Sequence, residues 1–216
     1  MLIKMTTGKI VDLDWKNSLH RRAAANLHAE LLPDSFVARM GRLFMERFYY
    51  RDLVREGLIR CDLFLSGDQA VGLSAYTLYP YDFMDRGKRK FFLKLAVLTI
   101  LSFVLQPARL GAVLSISRLS KKRDLTPRDK KVGEYLSLAV RASHAADAEE
   151  STGLRASQAL FARAADFLKS QGCRRMFLVI KKTNFFAMRF HRERGAVPIE
   201  GDFVPEDCSL LAVTLG

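Results

Sequence analysis

The strongest constraint on the fold lies between Glu134 and Gly195, where two kinds of periodicity alternate. Residues 134–140 have the composition of a β-strand, and residues 153–170 follow as a helix whose Leu154, Leu160, Phe161, Ala164, Ala165 and Leu168 share one face. Residues 174–180 read as a second strand. Residues 184–194 read as a second helix closed by Gly195, a residue that easily takes the left-handed conformation that stops a helix. Strands alternating with helices predict an α/β fold. A length of 216 residues predicts one domain, 1–216, at most with a substantial insertion.

The amino-terminal half adds helices and a hairpin. Trp15, Leu19, Ala23, Leu27 and Leu31 step by four, predicting an amphipathic helix over residues 12–32 that ends at Pro33. Asp34 or Ser35 can cap a second helix, with Phe36, Met40, Leu43, Phe44 and Phe48 along one face. Residues 59–65 and 70–78 are β-prone runs separated by Ser66-Gly67-Asp68-Gln69, the composition of a hairpin turn. Val204 and residues 208–215 offer final strand material.

Charge is where the chain is unusual. The net charge is +12, and residues 86–131 carry 13 Lys and Arg against 2 Asp and Glu, while the segments on either side are balanced. Within this block residues 91–105 are apolar except for Lys94, Thr99 and Ser102. About 20 apolar residues are needed to span a bilayer, so the run predicts a buried or interfacial helix. Nucleic acid would be met by clustered Lys and Arg alone. The segment is as apolar as it is basic, and its aromatic residues, Phe91, Phe92 and Phe103, suit a buried face better than base stacking. The three cysteines, Cys61, Cys173 and Cys208, are scattered, which predicts neither a disulfide framework nor a zinc site and suits a reducing cytoplasm. The first residues lack the apolar core and cleavage site of a signal peptide.

The elements of residues 133–196 resemble the GNAT N-acetyltransferase superfamily. The last helix, Asn184-Phe-Phe-Ala187-Met-Arg-Phe190-His191-Arg-Glu-Arg-Gly195-Ala196, matches in spacing the family's Asn-x-x-Ala-x-x-Phe-Tyr-x-x-x-Gly-Phe. Glu134-Tyr-Leu-Ser-Leu138-Ala139-Val140 stands where the family has a strand ending in Leu-x-Val. The resemblance implies a central mixed sheet flanked by helices, with residues 82–131 as a basic, apolar helical insertion between the third and fourth strands. It implies acetyl-CoA or a related acyl-CoA as co-substrate and transfer of the acyl group to a primary amine. Similar bacterial proteins, sharing Leu-Pro-Asp-Ser-Phe and an inserted apolar helix, look like enzymes of surface-polysaccharide assembly.

The same resemblance assigns roles. Glu134 falls where several members carry the general base that deprotonates the amine, and its bland alternative is a solvated strand-end glutamate. His191 replaces the tyrosine that usually protonates the departing thiolate; an imidazole titrating near neutrality could serve, and a surface histidine is the competing reading. Leu138, Ala139 and Val140 would pair with the pantetheine arm as an added strand, and a free N–H there could hold the oxyanion. Gly153, Leu154, Arg155, Ala156 and Ser157 would form the pyrophosphate turn. Arg155 occupies the place of a family glycine, and the preceding loop carries Asp147, Glu149 and Glu150, whose charges repel phosphate. Asn184 would cap its helix or bond the cofactor, while Ala187 and Phe190 would pack beside it. No Cys or Ser with a partner base lies in the matched elements, so direct attack is expected.

Three partners compete for the insertion: an acceptor pocket that it covers, an anionic membrane surface bearing an amphiphilic amine or glycolipid, and an acidic acyl carrier protein as donor. A GNAT-like binding module without catalysis is the reading from a different class. A peripheral place on the inner membrane face and a homodimer complete the expectations.

Overall fold

The structure is a computed structural model, and it describes residues 8–80, 82–105, 131–141, 156–200 and 204–216. Seven strands form one mixed sheet in the order β1-β2-β3-β4-β5-β7-β6. They are β1 (Gly8–Asp12), β2 (Arg60–Ser66), β3 (Gln69–Thr77), β4 (Val132–Val140), β5 (Arg175–Lys181), β6 (Val197–Pro198) and β7 (Cys208–Thr214). All neighbours run antiparallel except β4 and β5. The hairpin β2–β3 turns through Gly67-Asp68, with Ser66 opposite Gln69 and Gly67 at φ 61°.

Two places depart from simple periodicity on the amino-terminal side. Residues 8–12 are an edge strand rather than loop or helix, because Ile10 and Val11 pair with Phe64 and Leu63. Helix α1 (Ser18–Leu31) therefore begins later than residue 12, at Asn17, whose side chain accepts from the N–H groups of Leu19 and His20. Its buried stripe is Ala24, Ala25, Leu27 and His28, while Leu19 faces solvent.

The predicted second helix is broken into three. Ser35 caps α2 (Phe36–Arg39), accepting from the Ala38 N–H at 3.1 Å. Gly41 then takes φ 90°, ψ 168°, a conformation open to glycine alone, and ends that turn. A short α3 (Arg42–Phe44) leads into a π-helical segment, Met45–Leu53, that buries Phe48, Tyr49 and Tyr50 in succession. The wider turn is the physical reason that three consecutive large residues can all point inward.

Helix α1 and the π-helical segment cover one side of the sheet; α6 (Ala156–Ser170) and α7 (Phe185–Arg192) build the second core cluster with β4, β5 and β7. Leu160, Ala164 and Leu168 of α6 are fully buried. α6 packs so closely on the start of β4 that a Cβ on Gly133 would lie 2.5 Å from Leu168. Asn184 caps α7 by accepting from the Ala187 N–H, and Gly195 follows its last turn at φ 80°. Val204 sits in a bend, outside any strand, because the last strand begins only at Cys208.

Within residues 82–131 the described part is two helices, α4 (Phe83–Lys90) and α5 (Phe92–Leu105). Phe83 and Leu98 are buried, and Phe91 meets Phe48 edge to face at 6.2 Å. Gly87 lies against Leu53 and Phe48, where a side chain would collide. No helix among the described residues is long and apolar enough to cross a membrane.

Candidate functional site

The parallel pair β4–β5 exists only from Val132 opposite Arg175 to Tyr135 opposite Leu178. Beyond it β5 continues against β7 to Lys181, and β4 continues against β3 to Val140. The two central strands thus part company, leaving the β5-side edge of residues 136–140 without a strand partner among the described residues. The parting coincides with a bulge: Tyr135 opposes Tyr76 and Ser137 opposes Ala75, so Leu136 is the extra residue. A bulge bends its strand and shifts the alternation of faces. Accordingly Leu136 and Ala139 pack toward α1 and the π-helical segment, whereas Tyr135 and Leu138 pack toward α6.

A groove of about 580 Å³ opens at this split. β4 contributes residues 134–138, β5 Leu178 to Lys181, α7 Asn184, Ala187 and His191, and the opposite wall comes from His28, Ser35, Tyr49, Phe83 and Met84. Lys181 bonds Asp34 at 3.1 Å, tying the end of β5 to the loop after α1.

Glu134 is buried at the centre of the sheet, between Thr77 of β3 and Phe177 of β5. It belongs to the groove wall, so the solvated strand-end alternative does not describe it. Burial, with Cys61 and Glu134 as nearby negative groups, holds the Tyr49 hydroxyl well above its ordinary range. His28 is oriented from both sides, Nδ1 by Tyr50 Oη at 2.6 Å and Nε2 by Ser35 Oγ at 2.8 Å. Burial pushes its pKa down to about 4.

His191 also lines the groove but is 5% exposed and packs against Phe161, Phe190 and Tyr135. Burial, and then the charge of Arg194, push its pKa down to about 4. The expectation of an imidazole titrating near neutrality is corrected on this ground: the ring is neutral at pH 7. It is not a surface histidine either.

The remaining expected site residues divide. Leu138, Asn184 and Ala187 line the groove. Ala139 and Val140 turn their side chains into the packed core, Ala156 is fully buried against β2 and β3, and Phe190 packs on Phe161 with Arg194 stacked over it at 3.6 Å. Their side chains therefore support the site and do not line it; only backbone groups of Ala139 and Val140 remain for a ligand. Ser157 is half-buried in the first turn of α6 and lies off the groove wall. Gly153, Leu154 and Arg155, and with them the acidic loop, fall outside the described residues. Sequence reasoning passed over His28, Ser35 and Tyr49 as site residues. Among them only the Ser35 cap left a local signal, since the other two reach the groove through burial.

The two buried histidines make stability depend on pH. An unfolded imidazole takes up its proton near 6.5, whereas the folded rings do so only near 4. The unfolded chain binds more protons in that window, so acidification from pH 6.5 to 4 is expected to cost a few kcal/mol in all. Asp62, raised to about 6 chiefly by burial, works the other way and offsets part of the loss. Urea unfolding at pH 7 and pH 4.5 checks this; equal or greater stability at the lower pH would contradict it.

No protein-family model matches the chain, and no curated protein matches it. Solved structures do. A GNAT-family acetyltransferase of Staphylococcus aureus Mu50 is 10% identical with a TM-score of 0.57, covering 97% of this chain and 100% of that one. The PaiA N-acetyltransferase of Thermoplasma acidophilum, in complex with coenzyme A, is 10% identical with a TM-score of 0.53 over 96% of this chain and 99% of its own. Arabidopsis thaliana NAA60, in complex with acetyl-CoA, is 11% identical with a TM-score of 0.54 over 96% and 98%. The fold is that of the GNAT acyl-CoA N-acyltransferases, as the sequence resemblance implied.

Proposed function

We propose that the protein is an N-acyltransferase that moves an acetyl or related acyl group from acyl-CoA to a primary amine. The observation that carries this reading is the buried carboxylate of Glu134 at the mouth of the split between β4 and β5. The unpaired edge of residues 136–140 has the spacing to accept an extended pantetheine arm as an added strand. Two buried polar atoms on the groove wall, Ser137 Oγ and His191 Nδ1, have no hydrogen-bond partner among the described residues, which suits a polar ligand.

In the reaction the amine nitrogen attacks the thioester carbonyl, a C–N bond forms and the C–S bond breaks. Glu134 takes, directly or through water, the proton the ammonium must lose before attack and passes it to solvent; the second proton, lost by nitrogen as the tetrahedral intermediate collapses, balances the one required by the departing thiolate. A backbone N–H in the unpaired stretch of β4 would face the oxyanion. A neutral His191 can donate a hydrogen bond toward sulfur, but burial leaves too little imidazolium at pH 7 for it to be the proton donor.

The acceptor wall is rich in Leu31, Leu32, Phe36, Val37, Phe83 and Met84, with Asp85 and Lys88 also lining it. This composition favours an amphiphilic amine, such as a lipid-linked amino sugar, over a small polar one. Calorimetry with acetyl-CoA is expected to show heat of binding together with a rise in Tm. Absence of both would overturn acyl-CoA as donor and favour a carrier-protein donor or a binding module.

A further inference from the structure

Helix α5 carries apolar residues on both its inward and its outward side and turns its single charge inward. A surface helix of a soluble protein turns charge outward and apolar residues inward. The one charged residue of α5, Lys94, points inward, where its Nζ bonds the buried carboxylate of Asp52 and the Arg47 carbonyl. Leu98 is buried and Leu95 half-buried on the same side. Outward stand Phe92 at 69% exposure, Leu93 at 80%, Val97 at 55% and Ile100 at 60%, with Ala96 exposed between them. The spacing i, i+3/i+4, i+7 makes these one continuous stripe. Large apolar side chains gathered in one exposed patch mark an interaction surface.

We propose that this face of α5 docks on an anionic bilayer, lying flat at the boundary of headgroups and acyl chains. Fourteen residues of helix extend about 21 Å, short of the ~30 Å of hydrocarbon, so an interfacial position is the geometry that fits. Charge selects the occupant. α4 leads into α5 with exposed Arg86, Arg89 and Lys90, of which Arg86 pairs with Asp82 and Lys90 with Glu56, and the sequence from 86 to 131 carries 13 basic residues against 2 acidic ones. Basic side chains near an anionic leaflet contribute about 1 kcal/mol each. A second copy packed through the same face would bring Arg86, Arg89 and Lys90 against their own counterparts. α4 also lines the groove through Phe83 and Met84, so docking would set the acceptor entrance beside the lipid surface. This last step rests on the acyltransferase reading; the docking does not.

Flotation of the whole protein with phosphatidylcholine vesicles, with and without phosphatidylglycerol, tests the proposal without donor or acceptor present. The expected result is flotation with the anionic vesicles only, weakened by raised salt. The double variant Leu93→Asp, Val97→Asp, both exposed positions, is expected to bind at least about tenfold more weakly while keeping its Tm. Protein that stays behind with anionic vesicles at low salt would overturn the proposal, and so would undiminished flotation of the variant. A dimer in sedimentation that the same variant dissolves would also overturn it, by assigning the face to a second copy. Loss of acetyl transfer without loss of flotation would count against the enzymatic reading alone.

Discussion

Glu134→Gln is expected to lower kcat for acetyl transfer to an accepted amine by about 10²–10³-fold, with KM for acetyl-CoA little changed. Glutamine keeps the size and most of the hydrogen-bonding reach of the side chain, so the sheet around Thr77 and Phe177 should hold its register. What it removes is the site that can take a proton. The amine is an ammonium ion at neutral pH, and attack waits on its deprotonation. Donor binding, on the proposed reading, would instead draw on the backbone of residues 136–140 and on Asn184, Ala187 and Leu138, residues that the substitution leaves in place. Steady-state kinetics across pH, with Tm as a control for folding, separates the two. Turnover within a few-fold of the unsubstituted protein at every pH would remove Glu134 as the base, leaving the groove without its assigned proton acceptor.

The split between what the sequence showed and what it hid follows from the range of the interactions. β4, α6, β5 and α7 announce themselves because strand and helix periodicities, the Asn184 cap and the Gly195 stop are local. Gly41 is a local signal as well, yet a helical pattern of apolar residues runs straight through it; only its φ of 90° reveals the break. β1 is short and at an edge, so Ile10 and Val11 become a strand only when β2 is there to pair with. The bulge at Leu136, which aims the groove, depends on the match between β3 and β4 and has no signature in either alone.

The candidate site divides in the same way. Glu134, Leu138, Asn184 and Ala187 were legible by their place in the family's motifs. His28 and Tyr49 come from the other half of the chain, and nothing near them in sequence says that they face Glu134's groove. His191 was legible as a position but not as a chemical species, since its neutrality comes from Phe161, Phe190 and Tyr135 closing around it. Charge counting located the basic block but could not show that Lys94 turns inward to a buried carboxylate.

That inward lysine should be among the most sensitive positions outside the core. Lys94→Met keeps the apolar stem and removes the ammonium, leaving Asp52, 1% exposed, with Arg51 at 3.5 Å as its remaining ion pair among the described residues. A buried carboxylate robbed of its close partner typically costs 3–5 kcal/mol; with Arg51 still present, a loss of about 3 kcal/mol is expected. For a chain of this length that corresponds to a fall in Tm of roughly 6–12 °C. The amides of α5 should exchange faster, because Lys94 joins that helix to the π-helical segment. If the penalty is the uncompensated charge, then Lys94→Met combined with Asp52→Leu should recover most of it, since an apolar pair of similar volume carries no desolvation debt. A double variant as unstable as the single one would instead assign the loss to packing of the insertion. A single variant within about 1 kcal/mol of the original would mean the pair behaves as a surface salt bridge. In either case the inward lysine would no longer explain why a helix with an apolar outer face stays seated on the π-helical segment.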